Sequence, residues 1–230
     1  MNYVGTELEV FRDAVRWKAY WSAVAKPFVR GRVLDVGCGL GVNADHLWNE
    51  RIKAYTFLEP DAALLAQVPE NVNAAAAVRN EFIHGTTRDL LGRSFDTLLY
   101  IDVLEHISDG KEELRRAADL LAPGGHLIIL VPAFQILFSR FDTAIGHHRR
   151  YDRALLKAEI PPELERLQMR YLDSAGFLLS LGNKLLLRQG TPTSGQIRFW
   201  DRTIVPISRV TDKFVGHGFG RSLLSISRKP

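Results

Sequence analysis

The 230-residue chain predicts an α/β fold, an open and mostly parallel sheet with helices on both faces. Three observations carry this. Short apolar runs at Val33–Val36, Ala54–Leu58, Phe95–Ile101 and His126–Val131 alternate with stretches of helical periodicity, as repeated strand–helix units do. The first run opens into Gly37-Cys38-Gly39-Leu40-Gly41, a turn whose glycines let another molecule approach the backbone closely. The second run closes on a carboxylate, Glu59.

Composition sets the bounds. With 46% hydrophobic and 24% charged residues, the chain can bury a full core, and residues 1–230 read as one domain. The longest nearly apolar run, Leu127–Phe138, is broken by Pro132 and Gln135 and is too short to cross a bilayer. Met1-Asn2-Tyr3-Val4, with Glu7 and Glu9 close behind, lacks the basic and apolar regions of a signal peptide, so a cytoplasmic location is expected. The single cysteine, Cys38, excludes an internal disulfide and a cysteine-cluster metal site. The net charge of +4 would suit an anionic partner, but the basic residues are dispersed. The one short cluster is Arg149, Arg150 and Arg153, and this spread speaks against nucleic-acid binding.

Taken in order, Leu8, Phe11, Val15, Ala19 and Val24 recur at near-helical spacing, which predicts a helical cap over residues 1–30. Tyr3, Trp17, Tyr20 and Trp21 read either as a lid over a ligand or as core aromatics. After the glycine turn, residues 43–49 continue as a helix whose free N–H groups would suit a carboxylate. Asp61 reads as a helix cap. A third strand ends at His84, before Thr86, Thr87 and Asp89. The fourth, Phe95–Ile101, runs straight into Asp102-Val103-Leu104-Glu105-His106-Ile107. A helix over residues 109–121 is closed by Ala122-Pro123-Gly124-Gly125. Leu164–Leu172 and Ser222–Ser227 read as the last two strands, and the roughly fifty residues between them exceed any hairpin loop.

Asp35-x-Gly37-x-Gly39-x-Gly41 after an apolar strand resembles the first motif of class I S-adenosylmethionine-dependent methyltransferases, whereas dinucleotide enzymes show G-x-G-x-x-G. Phe95-Asp96 through Ile107 and Leu121–Gly125 resemble later segments of the same family. The resemblance implies a Rossmann-like seven-stranded sheet with its last strand antiparallel. It further implies S-adenosyl-L-methionine as donor, S-adenosyl-L-homocysteine as product, and a donor-binding core over 31–131. Asp35, Gly37, Cys38, Gly39 and Gly41 would hold the donor with Glu59 and Pro60, Glu59 accepting from the ribose hydroxyls. Thr86 and Thr87 stand where the family usually has an acid for the adenine amine. Asp102 and Val103 would face the methionine part or the accepting atom.

Residues 132–160 read as a substrate loop. Its Gly146-His147-His148-Arg149-Arg150-Tyr151 resembles a segment of a bacterial subgroup of these enzymes. His147 and His148 are candidate general bases, His106 a candidate catalytic-site residue that either contacts ligand or makes a structural hydrogen bond, Tyr151 a candidate substrate-orienting residue, and Arg149 and Arg150 either anion clamps or partners of Asp142 and Asp152. Adjacent histidines do not make a metal site, and none is expected. Residues 174–221 read as an insertion, either a lid or homodimer contact or core packing, with contact to a lipid surface a further reading. The expected reaction is methyl transfer to an oxygen or nitrogen of a small molecule such as a sugar, lipid precursor or secondary metabolite. RNA methylation and a non-catalytic donor-binding subunit stay open as alternatives.

Overall fold

A computed structural model describes residues 11–73, 78–184 and 193–230. Tyr3, the alanine run at 74–77, and residues 185–192 of the insertion lie outside these ranges. Seven strands form one sheet in the order β3-β2-β1-β4-β5-β7-β6. They are β1 (Gly31–Val36), β2 (Ile52–Glu59), β3 (Arg79–His84), β4 (Phe95–Ile101), β5 (Leu121–Pro132), β6 (Glu165–Leu172) and β7 (Ser222–Arg228). β1 to β5 pair in parallel, and β7 inserts antiparallel between β5 and β6. The order reverses between β1 and β4, so the carboxyl ends of these two strands flank the crevice where such sheets bind ligands.

Near-continuous burial of β1, β4 and β5 follows from having a layer on each face. One face carries Val33, Phe57, Leu99, Ile128 and Ile226, packed under α1 (Val15–Ala25). The other carries Leu34, Leu98, Tyr100, Ile129 and Leu223, packed under α2 (Gly110–Leu120) and α3 (Arg153–Glu159). Each of these last two helices starts where an aspartate caps it, Asp109 accepting from the Glu112 N–H and Asp152 from that of Leu155.

The insertion supplies α4 (Ser174–Gly182), α5 (Ser194–Phe199) and α6 (Val205–Phe214), the last two joined through a π-turn over Trp200–Ile204. Its inward face is core. Ile197, Trp200 and Val205 pack in one cluster with Trp17, Tyr20 and Trp21 of α1. Those three aromatics, candidates for a lid, are all buried, so they fasten α1 to the insertion.

Three buried acids secure this contact. Asp201 accepts the Arg16 and Trp17 N–H groups. Asp212 accepts the Tyr20 hydroxyl at 2.8 Å and the N–H groups of Asp173 and Ser174. Asp173 accepts Trp200 Nε1–H, the Ser208 hydroxyl and the Gly176 N–H. Removing such an acceptor strands several buried donors at once. Asp212→Ala is expected to lower unfolding free energy by about 3–5 kcal/mol, and Tyr20→Phe by about 1 kcal/mol, in urea titrations followed by tryptophan fluorescence.

Candidate active site

Gly37, Gly39 and Gly41 all adopt left-handed backbone, with φ of 61°, 55° and 74°. Two of them also admit a close neighbour. A Cβ at Gly37 would stand 2.9 Å from both γ-carbons of Val103, and one at Gly41 2.6 Å from Val68 Cγ1. Glu59 closes over the turn: its Oε2 accepts the Gly39 N–H at 2.9 Å and its Oε1 the Asp61 N–H at 3.0 Å. Burial raises the Glu59 pKa, and these two backbone hydrogen bonds pull it back. Cys38 fills a small buried space, and its N–H donates to the Leu58 carbonyl. The Pro60 carbonyl lies 3.1 Å from His84 Nε2.

Three expectations change here. Asp35 lies buried beneath the turn with its carboxylate on the Tyr55 hydroxyl, so it supports β1 from below in place of touching a donor. Burial raises its pKa to about 7. The Thr87 hydroxyl is buried against Glu113 of α2, because the turn after β3 directs it into that layer. Exposed Thr86 caps its own turn by donating to Asp89. The helix expected over 43–49 is a single turn, Ala44–Leu47, because Asn43 makes no capping bond and Trp48 leaves in extended backbone.

At the end of β4, Asp102 takes a left-handed φ of 55° and donates its N–H to the Leu130 carbonyl. The residue is exposed, and the protein packed around its carboxylate raises its pKa to about 6, against the opposing pull of His147, Arg221, Lys18 and Arg150. Lys18 and Arg221 belong to no motif, and only tertiary structure brings them here. The Lys18 ammonium donates to the Phe11 and Arg12 carbonyls. The Arg221 guanidinium lies over the Trp200 ring, 4.5 Å from its centre.

Near Asp102, His147 Nδ1 lies 2.9 Å from Asp142 Oδ1. A buried carboxylate bonded in this way takes an Nδ1–H donor, so in the neutral ring the lone pair is the one on Nε2. Asp142 also accepts from Ser139 and, in a two-point contact, from Arg150. Burial alone would raise the Asp142 pKa, but His147, Arg150 and Ser139 together hold it well below the usual carboxylate range. The Ser139-x-x-Asp142 capping box was the one sequence signal for this acid.

Glu105 is fully buried, and neither carboxylate oxygen has a hydrogen-bond partner among the described residues. Its Oε1 lies 3.8 Å from His147 Nε2. Burial, and then the Asp102 charge, push the Glu105 pKa far up. His106 packs edge-on against His147 and is lowered by burial to a pKa of about 4, so its imidazole is neutral at pH 7. Glu105, His106 and His147 bring one ligand atom each within 4.8 Å of one another, a set able to hold a divalent cation. The expectation of no metal site weighed only the adjacent His147 and His148, not this grouping.

The rest of the 146–151 segment is structural. Tyr151 is fully buried, donating to Glu159 Oε2 at 3.0 Å, so it cannot orient a substrate. Arg149 bonds Glu159 and the Ser108 carbonyl, and Arg150 is taken up by Asp142, so neither is free to clamp an anion. His148 is exposed and donates its backbone N–H to the Glu105 carbonyl. Two hollows, of about 450 and 860 Å³, lie at the amino ends of β1 to β4 and between α2 and α3, away from this chemistry.

Residues 9–176 match a family model described as a methyltransferase domain. A ubiquinone biosynthesis O-methyltransferase of Azorhizobium caulinodans is 28% identical over 171 residues, covering 66% of this chain and 64% of the relative. The chain thus spans less than two thirds of that relative's length. Among solved structures, the [4+2]-cyclase SpnF aligns with a TM-score of 0.63 at 17% identity, covering 99% of this chain and 95% of that one. The N-methyltransferase NodS of Bradyrhizobium japonicum, solved with S-adenosyl-L-homocysteine, aligns with a TM-score of 0.56 at 12% identity, covering 94% and 86%. Likenesses at these identities concern the fold.

Because burial disfavours a charged Glu105, its folded-state pKa lies above its unfolded value near 4.5. Any stability that this shift contributes is present below that value and is lost as pH rises beyond it. Glu105→Gln is therefore expected to gain stability relative to the parent between pH 4.5 and pH 8, measured by thermal melts in chelator.

Proposed function

The chain belongs to the methyltransferase-domain family, and from that premise we propose that it moves a methyl group from S-adenosylmethionine to a hydroxyl oxygen of a small molecule. The observation that carries the oxygen acceptor is the Asp142–His147 pair, a carboxylate-bonded imidazole close enough to Asp102 to act on its ionisation. The name of the Azorhizobium relative, an O-methyltransferase, supports the same choice. The donor fits the residues present. The glycine turn is packed against Val103 and Val68 and has no side chain of its own at positions 37, 39 and 41, and each Glu59 oxygen has a second lone pair for a ribose hydroxyl.

When bound, the donor supplies a methyl carbon already activated by a sulfonium charge. The chain's share is then positional and acid–base. Gly37, Gly39 and Gly41 present backbone at close range, Glu59 holds the sugar, and ionised Asp102 attracts the α-ammonium group. His147 takes the acceptor's hydroxyl proton at Nε2, with Asp142 fixing the tautomer and stabilising the imidazolium that results. Excluding water and holding an acceptor's oxygen lone pair toward the methyl carbon would supply much of the rate.

The SpnF likeness shows that this fold also serves reactions other than methyl transfer, and a donor-binding subunit without turnover would share the same cradle. A screen of phenolic, sugar and lipid-precursor hydroxyls, read by formation of S-adenosylhomocysteine, separates these. Turnover is expected with at least one hydroxyl class, and binding without turnover across all classes would favour the non-catalytic reading. With an acceptor in hand, His147→Gln is expected to lower kcat about 10²–10³-fold while leaving donor affinity unchanged. Asp102 ionises as pH rises through about 6, so donor affinity is expected to strengthen from pH 5 to pH 7, and Asp102→Asn to flatten that profile.

A further inference from the structure

We propose that the outward face of the α5–α6 rod docks on an anionic lipid surface. Phe199, Ile207, Val210 and Phe214 recur at intervals of a few residues along it, with exposures of 54%, 46%, 56% and 85%. Arg198, Arg202, Arg209 and Lys213 are exposed along the same rod. Its two acids, Asp201 and Asp212, are buried on the opposite side, where they bind α1 and α4. The outward face is therefore apolar and cationic, and no carboxylate of the rod offsets it.

That arrangement selects among occupants. A helix with large apolar side chains on its outer face and Lys or Arg beside them lies in the plane of a membrane, its rings and aliphatic groups below the headgroups and its cations among the phosphates. A second copy of the same face would bring four cations against four cations. An acidic partner protein would meet the charges but not the large apolar area at Phe214. The rod needs no refolding to dock, because the buried acids and Trp200 already fix its inner face to α1. The anchoring also leaves the site free. His147 and Asp102 belong to other elements, and none of the eight outward residues bonds to the glycine turn or to Glu59.

The test is flotation of the purified full chain with vesicles of phosphatidylcholine alone or mixed with phosphatidylglycerol. The chain is expected to float with the mixed vesicles, and added salt to release it. The paired change Val210→Ser with Phe214→Ser should weaken flotation about tenfold or more, and Arg202→Gln with Lys213→Gln should abolish the preference for phosphatidylglycerol. Circular dichroism and calorimetry with S-adenosylhomocysteine should be unchanged in both variants, which separates this surface from the donor site. No flotation, equal flotation by parent and variants, or a parent dimer that the serine changes convert to monomer by light scattering would each overturn the proposal.

Discussion

Val103 occupies the space that a side chain at position 37 would need, and the site is built on that contact. Only a glycine in left-handed backbone lets the turn after β1 and the segment after β4 close on one another. Once they do, the carboxyl ends of β1 and β4 form the two walls of the crevice. Glu59 locks the turn from the β2 side through the Gly39 N–H, and Asp102 is held at the floor by its bond to the Leu130 carbonyl. Backbone conformation, sheet order and ligand cradle are thus one constraint.

A second set of forces gives the chain its individual character. Asp173, Asp201 and Asp212 are buried, and each accepts two or more hydrogen bonds from elements far apart in sequence. Buried acids of this kind stabilise little by charge alone, but they are costly to leave unpaired, and so they select one arrangement of helices. The π-turn at Trp200–Ile204 directs Trp200 and Asp201 inward together. The same choice leaves Phe199 and Arg202 outside. One local departure from α-helix therefore sets both the anchored face and the docking face of the rod.

Much of the sheet was legible because its signals are local. Strand positions, the Asp61 cap and the glycine turn each depend on a few consecutive residues, whereas the fifth strand starts at Leu121, five residues before the expected His126. The antiparallel last strand came from resemblance. What misled were side chains whose direction depends on packing. Tyr151 looked like a substrate contact and is core, and Thr87 faces α2; of the two readings of Arg150, the pairing with Asp142 is the one observed. Lys18 and Arg221 went unread for the opposite reason: they act on Asp102 only after distant segments have packed.

The central claim is that the cradle from Gly37 to Glu59 holds S-adenosylmethionine. Isothermal titration of the purified chain with S-adenosylhomocysteine tests it most directly, together with Gly37→Val, which places bulk against Val103. Saturable one-to-one binding by the parent, lost in a folded Gly37→Val variant, is the expected result. A parent chain that binds no S-adenosylhomocysteine, or a variant that binds it equally well, would contradict the account.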